Sequence, residues 1–221
     1  MLESEIGARS TDDGLAAMKE PGTTKGRSEV AALAFAVRRL LEDAASEVAT
    51  AFLRDWPTHP RWRETEPRPL RVLEWLGPAC RAGWAGAAGL LAALETASPR
   101  LAWRQSYGPE DFGADFLERY GWTELIGARG PIMSDRIAVG LLLLGPALTY
   151  PPHSHDAEEV YLPLSGRAAW RRAAEPWRDV APGALIHHPS RLPHAIRTGA
   201  EPLLALYAWR GGDLAQKSRI E

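Results

Sequence analysis

The stretch "PPHSHDAEEVYLPLSG", residues 151–166, places two histidines, three acids and a tyrosine in sixteen residues. Read as extended backbone, its side chains alternate between the two faces of a sheet. His153, His155, Glu159 and Tyr161 carry odd numbers and share one face, while Glu158 falls on the other with Val160 and Leu162. Parity therefore selects one glutamate from an adjacent pair. Two imidazoles and a carboxylate on one face are a suitable ligand set for a divalent first-row metal with coordination positions left open. A fourth ligand is expected from a neighbouring strand. His194, in "HHPSRLPHAIRT" (187–198), follows a turn-forming segment and opens a new run, with His187 and His188 as competitors; His59 reads as a surface residue.

Outward from this stretch, the carboxyl-terminal half consists of short runs separated by Gly, Pro or polar turns: "TELIGARG", "RIAVGLLLLGP", "EEVYLPLSG", "RAAWRRA", "GALIHHP", "HAIRTG" and "PLLALYAWRG". Closely spaced short strands predict a sandwich or small barrel. The apolar run "IAVGLLLLGPAL" (137–148) falls far short of the ~20 residues of a membrane-spanning helix and reads as a buried strand. The amino-terminal half differs. Residues 1–27 lack apolar periodicity and read as a flexible tail. "SEVAALAFAVRRLLEDAASEVATAFLRDW" (28–56) predicts one long amphipathic helix ending before Pro57, with Ser28 available as its cap. Beyond a Pro- and Arg-rich link, residues 70–98 predict a short helix, a break at Gly77-Pro78 and a second helix. The expected organisation is a tail (1–27), a helical region (28–120), a β-barrel carrying the metal site (121–214) and a carboxyl-terminal tail (215–221).

The 221 residues fit one domain, and 45% hydrophobic with 24% charged residues is ordinary for a globular protein. A formal net charge of −2 gives no global attraction to nucleic acid or anionic membranes, so a small molecule is the expected partner. Cys80 is the only cysteine, which excludes an intrachain disulfide and a cysteine-based zinc knot. The first residues carry neither the basic start nor the apolar run of a secretory signal, and a cytoplasmic location is expected. A long amino-terminal helix would suit packing between two copies in a homodimer.

The two histidine-bearing stretches resemble the cupin superfamily. Its first motif, HxH, three residues, Glu, six residues, Gly, is matched by His153, His155, Glu159 and Gly166; "PGALIHHPSRLPHAIRT" (182–198) matches the second, with His194 in the ligand position. The resemblance implies a mainly β protein with α, a cupin double-stranded, jelly-roll-like β-barrel with metal inside, preceded by an α-helical region. More narrowly, "YPPHSHDAEEVYLPLSG", "HHPSRLPHAIRT" and "LLALYAWRGGDL" are similar to the cupin-type dimethylsulfoniopropionate lyases. That similarity implies a carbon-sulfur lyase that splits dimethylsulfoniopropionate (DMSP) by β-elimination into dimethyl sulfide and acrylate, with one divalent transition metal ion (Zn, Fe, Mn or Ni).

Such an elimination needs a base at the carbon alpha to the carboxylate and stabilisation of the charge developing there. Tyr161, on the ligand face, is the expected base, as the lyase resemblance also implies, and Tyr150 is expected to hold or polarise the substrate. Aromatic faces suit a sulfonium cation, so Trp209, Tyr207 and Trp170 are the expected substrate-binding residues. The competing readings are a cupin dioxygenase acting on a small thiol or catechol, a non-enzymatic ligand-sensing cupin, and a metal-dependent isomerase.

Overall fold

In the computed structural model, which describes residues 24–221, the chain first forms α1 (Thr24–Asp43), α2 (Glu47–Leu53), β1 (Arg61–Trp62), α3 (Leu76–Arg81), α4 (Ala88–Ala97), β2 (Trp103–Arg104) and α5 (Pro109–Glu118). The barrel follows as β3 (Tyr120–Gly127), β4 (Ile132–Met133), β5 (Ile137–Leu144), β6 (Thr149–Ser154), β7 (Glu158–Ser165) and β8 (Ala168–Arg172). It closes with β9 (Arg178–Val180), β10 (Ile186–His188), β11 (His194–Thr198), β12 (Leu203–Arg210) and β13 (Arg219–Ile220). One sheet has the order β1-β4-β3-β5-β12-β7-β10 with β2 beside β3; the other runs β13-β6-β11-β8-β9. Together they make the double-stranded barrel that the cupin resemblance implies.

The large sheet is buried on both faces, which is why β5 and β12 read as nearly continuous apolar runs instead of alternating ones. Its outer face, with Val139, Leu141, Leu143, Val160, Leu162, Leu204 and Leu206, belongs to the same core as Leu33 and Val37 of α1 and Leu94 of α4. The inner face carries Tyr120, Leu142, Tyr161, Ala205 and Tyr207 into a second cluster shared with Tyr150, Trp170 and Ile196 of the smaller sheet. The helices thus stiffen one side of the sheet while the other side is free to shape a cavity. Pro163 in β7 is tolerated because the pairing with β12 shifts register beside it, and bulges are where a strand can hold a proline.

Three expectations are corrected. The single helix over 28–56 is two helices: Ala45 turns the chain at φ 46, and the Ser46 hydroxyl accepts the Val48 N–H at 3.2 Å as the cap of α2. The helix pair over 70–98 does not break at Gly77-Pro78. Pro78 lies in the first turn of α3, where its missing N–H costs nothing, and the break falls at Gly83, where a Cβ would stand 2.0 Å from Leu91 Cδ1. Residues 215–221 are not a simple tail, since β13 pairs with β6. The tail expected over residues 1–27 lies, up to residue 23, outside the described residues, and residues 24–27 begin α1.

Because α2 is short, its cap matters. Ser46→Ala should lower stability by ~1 kcal/mol, measured by urea unfolding, while Ser46→Asp should retain most of it.

Candidate metal centre and cavity

β6 and β7 lie in different sheets, and the chain crosses between them through His155–Ala157. The crossing is clamped: the Arg191 N–H donates to the His155 carbonyl at 2.8 Å and Arg191 Nε to Asp156 Oδ1 at 2.9 Å. Arg191 accepts a left-handed backbone, φ 63, to make this contact. In β7, Glu159 points inward and is fully buried, whereas Glu158 faces out to His187 Nε2 and Arg210 Nε, each at 2.7 Å. The choice made by parity is the one the fold makes.

One ligand atom each from His155, Glu159 and His194 lies within 4.8 Å of the others. His155 Nε2 and His194 Nε2 both stand 3.0 Å from the same oxygen, Glu159 Oε2. The other oxygen, Oε1, accepts the Trp209 indole N–H at 2.5 Å. His155 Nδ1 is bonded to the Ala157 carbonyl, His194 Nδ1 to the Leu192 carbonyl and His153 Nδ1 to the Pro151 carbonyl, all at 2.9 Å. A carbonyl can only accept, so each Nδ1 carries the proton and each Nε2 offers a lone pair, the tautomer a metal ligand needs. His194 Nε2 is buried with no hydrogen bond of its own. Two imidazole nitrogens and a carboxylate oxygen buried together at one point are a donor set that fits a metal cation.

His153 flanks this trio. It sits opposite His194 in the β6–β11 register, with ring centroids 4.2 Å apart and Tyr150 stacked on its other face at 4.1 Å. Burial and the neighbouring His194 hold its imidazole well below 6.5. Burial would push the Glu159 carboxyl up, but His155 and His194 against it hold it well below 4.5; Glu159 in turn outweighs burial at His155 and raises that imidazole above 6.5. His188, one of the competitors for the ligand position, is fully buried and stacks flat on His194 at 4.1 Å with neither ring nitrogen bonded. His187, its neighbour in β10, turns the other way to Glu158.

Through Glu159 the centre borders a cavity of about 440 Å³ that is also lined by Tyr161, Tyr150, Tyr207 and Trp209. All five tyrosines of the chain line it, Tyr107 and Tyr120 being the other two. Tyr150 and Tyr107 bring their hydroxyls within 3.3 Å of each other. Trp170 does not line the cavity; its ring packs behind Tyr161, with centroids 4.9 Å apart.

The family model for dimethylsulfoniopropionate lyase matches residues 46–205. The chain belongs to the dimethylsulfoniopropionate lyase family. The DMSP lyase DddQ of Ruegeria pomeroyi is 42% identical over 109 residues, which are 49% of this chain and 54% of that protein, so the match spans about half of the relative's length. Among solved structures, a chain from the crystal structures of the DMSP lyases RdDddP and RnDddQII superposes with a TM-score of 0.81 at 34% identity, covering 89% of this chain and 99% of that one. The crystal structure of DddQ from Ruegeria pomeroyi gives 0.72 at 31% identity, covering 84% and 95%.

Several walls of the cavity in this DMSP lyase family member escaped the sequence reading. Leu214–Ser218 cross its mouth, held by β13 alongside His153 and Ser154, by Lys217 Nζ on Asp111 Oδ2 at 2.9 Å, and by the Asp156 N–H on Gln216 Oε1 at 2.9 Å. "LAQKSRIE" has no periodicity that would announce this. Glu124 and Trp122 of β3 also line the cavity. For Glu124 the one available signal was that it is the single charged residue of its strand. Among the described residues no helix is long and apolar enough to cross a membrane.

Proposed function

We propose that this chain is a metal-dependent DMSP lyase that cleaves its substrate by β-elimination to dimethyl sulfide and acrylate. The observation that carries the proposal is the meeting of His155, Glu159 and His194, with Glu159 and Tyr161, two residues apart on one strand, both lining a tyrosine-walled cavity. Family membership supports the same reading.

His155, Glu159 and His194, with His153 beside them, would hold one divalent ion, zinc, iron, manganese or nickel. Such an ion, when bound, supplies polarisation of the substrate carboxylate and so acidifies the neighbouring carbon. Tyr161 takes the alpha proton as the base. The electron pair of the broken carbon–hydrogen bond becomes the second bond between the alpha and beta carbons, the carbon–sulfur bond breaks, and its own electron pair leaves on sulfur, turning the sulfonium into neutral dimethyl sulfide. Burial and the Glu159 charge push the Tyr161 hydroxyl well above 10. Positive charge brought to Glu159 and a sulfonium brought to the cavity both act in the opposite sense, favouring the phenolate when the site is filled. Tyr150, fixed by His153 and Tyr107, holds the substrate, while Trp209 and Tyr207 offer aromatic surface to the sulfonium.

The test is direct. Purified protein supplied with divalent metal and DMSP should release dimethyl sulfide into the headspace and an equal amount of acrylate into solution. No sulfide above a heat-killed control for any of the four metals would overturn the proposal.

A further inference from the structure

The cavity holds a second buried carboxylate that the elimination does not use. Glu124 of β3 is 5% exposed and lines the same cavity as Glu159. Tyr120, Trp122 and Glu124 alternate along β3 as one row facing the cavity, and the pairing with β5 shifts register immediately after Glu124. Bulges beside active sites re-aim side chains. Here the displaced backbone returns through Gly127, φ 142, where a Cβ would stand 2.5 Å from Glu124 Oε1.

Oε1 is committed: it accepts the backbone N–H groups of Arg129 and of Gly130, the latter at 2.8 Å. Neither of these bonds uses Oε2, and none of the ion pairs among the described residues involves Glu124. The nearby Arg129 guanidinium is engaged elsewhere, over the Trp122 ring at 5.8 Å and on the Ala215 carbonyl at 2.5 Å.

The register places Glu124 relative to the chemistry. Tyr161 of β7 is opposite Tyr207 of β12, Tyr207 is opposite Gly140 of β5, and Gly140 is opposite Glu124 of β3. Gly140 has no side chain, and a Cβ there would meet the Tyr207 hydroxyl at 2.7 Å, so the Tyr207 phenol lies across it toward Glu124. Both carboxylates raise the Tyr207 hydroxyl after burial does, consistent with its place between them. Glu159 and Glu124 thus stand on strands three spacings apart, ~14 Å at the backbone, with side chains reaching inward from both ends.

We propose that Glu124 is the cation-facing residue of the site: its uncommitted oxygen takes the positively charged end of a zwitterion whose carboxylate lies at the His155–Glu159–His194 centre, and so selects a charged substrate over an uncharged one of the same shape. This rests on the lyase reading for the orientation of the substrate. A buried carboxylate without a contacting counter-ion attracts a cation that cannot itself hydrogen-bond, and aromatic walls alone would supply less discrimination.

The probes are 3-(trimethylammonio)propanoate, cationic at its far end with no N–H to donate, and 4,4-dimethylpentanoate, its uncharged carbon isostere; neither carries a sulfonium leaving group. Calorimetry on the metal-loaded full chain should show the cationic probe binding ~10-fold tighter or more than the isostere. Glu124→Gln keeps an acceptor for both backbone N–H groups and removes only the charge; it should bring the two affinities within about 2-fold of each other. With DMSP, the same variant should raise KM and leave kcat nearly unchanged. An unchanged preference in Glu124→Gln, or no preference in the parent chain, overturns the proposal. Absence of dimethyl sulfide release by the parent chain is a separate result and strikes the lyase reading.

Discussion

Tyr161→Phe should abolish dimethyl sulfide release while leaving metal content and thermal stability close to those of the parent. The ring remains, and with it the packing against Trp170 at 4.9 Å and against His188 at 6.0 Å. Only one hydroxyl is lost. A buried hydroxyl contributes about 1 kcal/mol to stability, whereas loss of a general base lowers turnover by ~10² to 10⁴. The chemical effect therefore far exceeds the structural one, and the two are read separately by headspace analysis and elemental analysis of the same sample. Tyr150→Phe is the control: its hydroxyl reaches Tyr107 and its ring stacks on His153, so its loss should act chiefly on KM. Near-normal turnover in Tyr161→Phe with collapse in Tyr150→Phe would exchange the two roles.

What could be read from the sequence was whatever period and spacing encode. The apolar run at Ile137–Leu144 is a strand buried on both faces, and the motif histidines converge because β6 and β11 are register partners. His155 was grouped with the others by parity and by its motif, but it lies in the crossing between sheets where parity has no meaning, so only the motif was a sound signal for it. The break at Ala45 was less visible: "DAASEVATAF" keeps helical composition throughout, and a left-handed alanine with a serine cap decides the matter locally. Trp170 shows the converse failure. An aromatic in a barrel strand can face the cavity or back the residue that does, and only its packing against Tyr161 distinguishes the two. Glu124 and the Leu214–Ser218 crossing depend on a bulge, a glycine and an edge strand two residues long, features with no periodic signature.

Glu159 and Glu158 provide the sharpest experiment because they are adjacent, chemically identical and placed on opposite faces. Glu159→Gln should lose both metal and activity. Oε2 is the one oxygen that both His155 Nε2 and His194 Nε2 approach at 3.0 Å, and Oε1 is held by the Trp209 N–H. A glutamine can keep one carbonyl oxygen for Trp209 or for the centre but not both, and it brings no negative charge to a site enclosed by imidazoles. Metal content after gel filtration should fall below a tenth of the parent's, roughly the loss expected for removing even a supporting ligand, and sulfide release should fall by ~10³ or more. Glu158→Gln should do neither. Its carboxyl, held below 4.5 by Arg210 and His187 against the opposing effect of burial, lies on the partly exposed outer face. Ion pairs in that setting contribute about 0–1 kcal/mol, so its signature should be a small drop in thermal midpoint with metal content and turnover intact. The exchanged outcome, metal lost with Glu158 and kept with Glu159, would put the centre on the wrong side of β7 and leave the tyrosine-lined cavity without its electrophile.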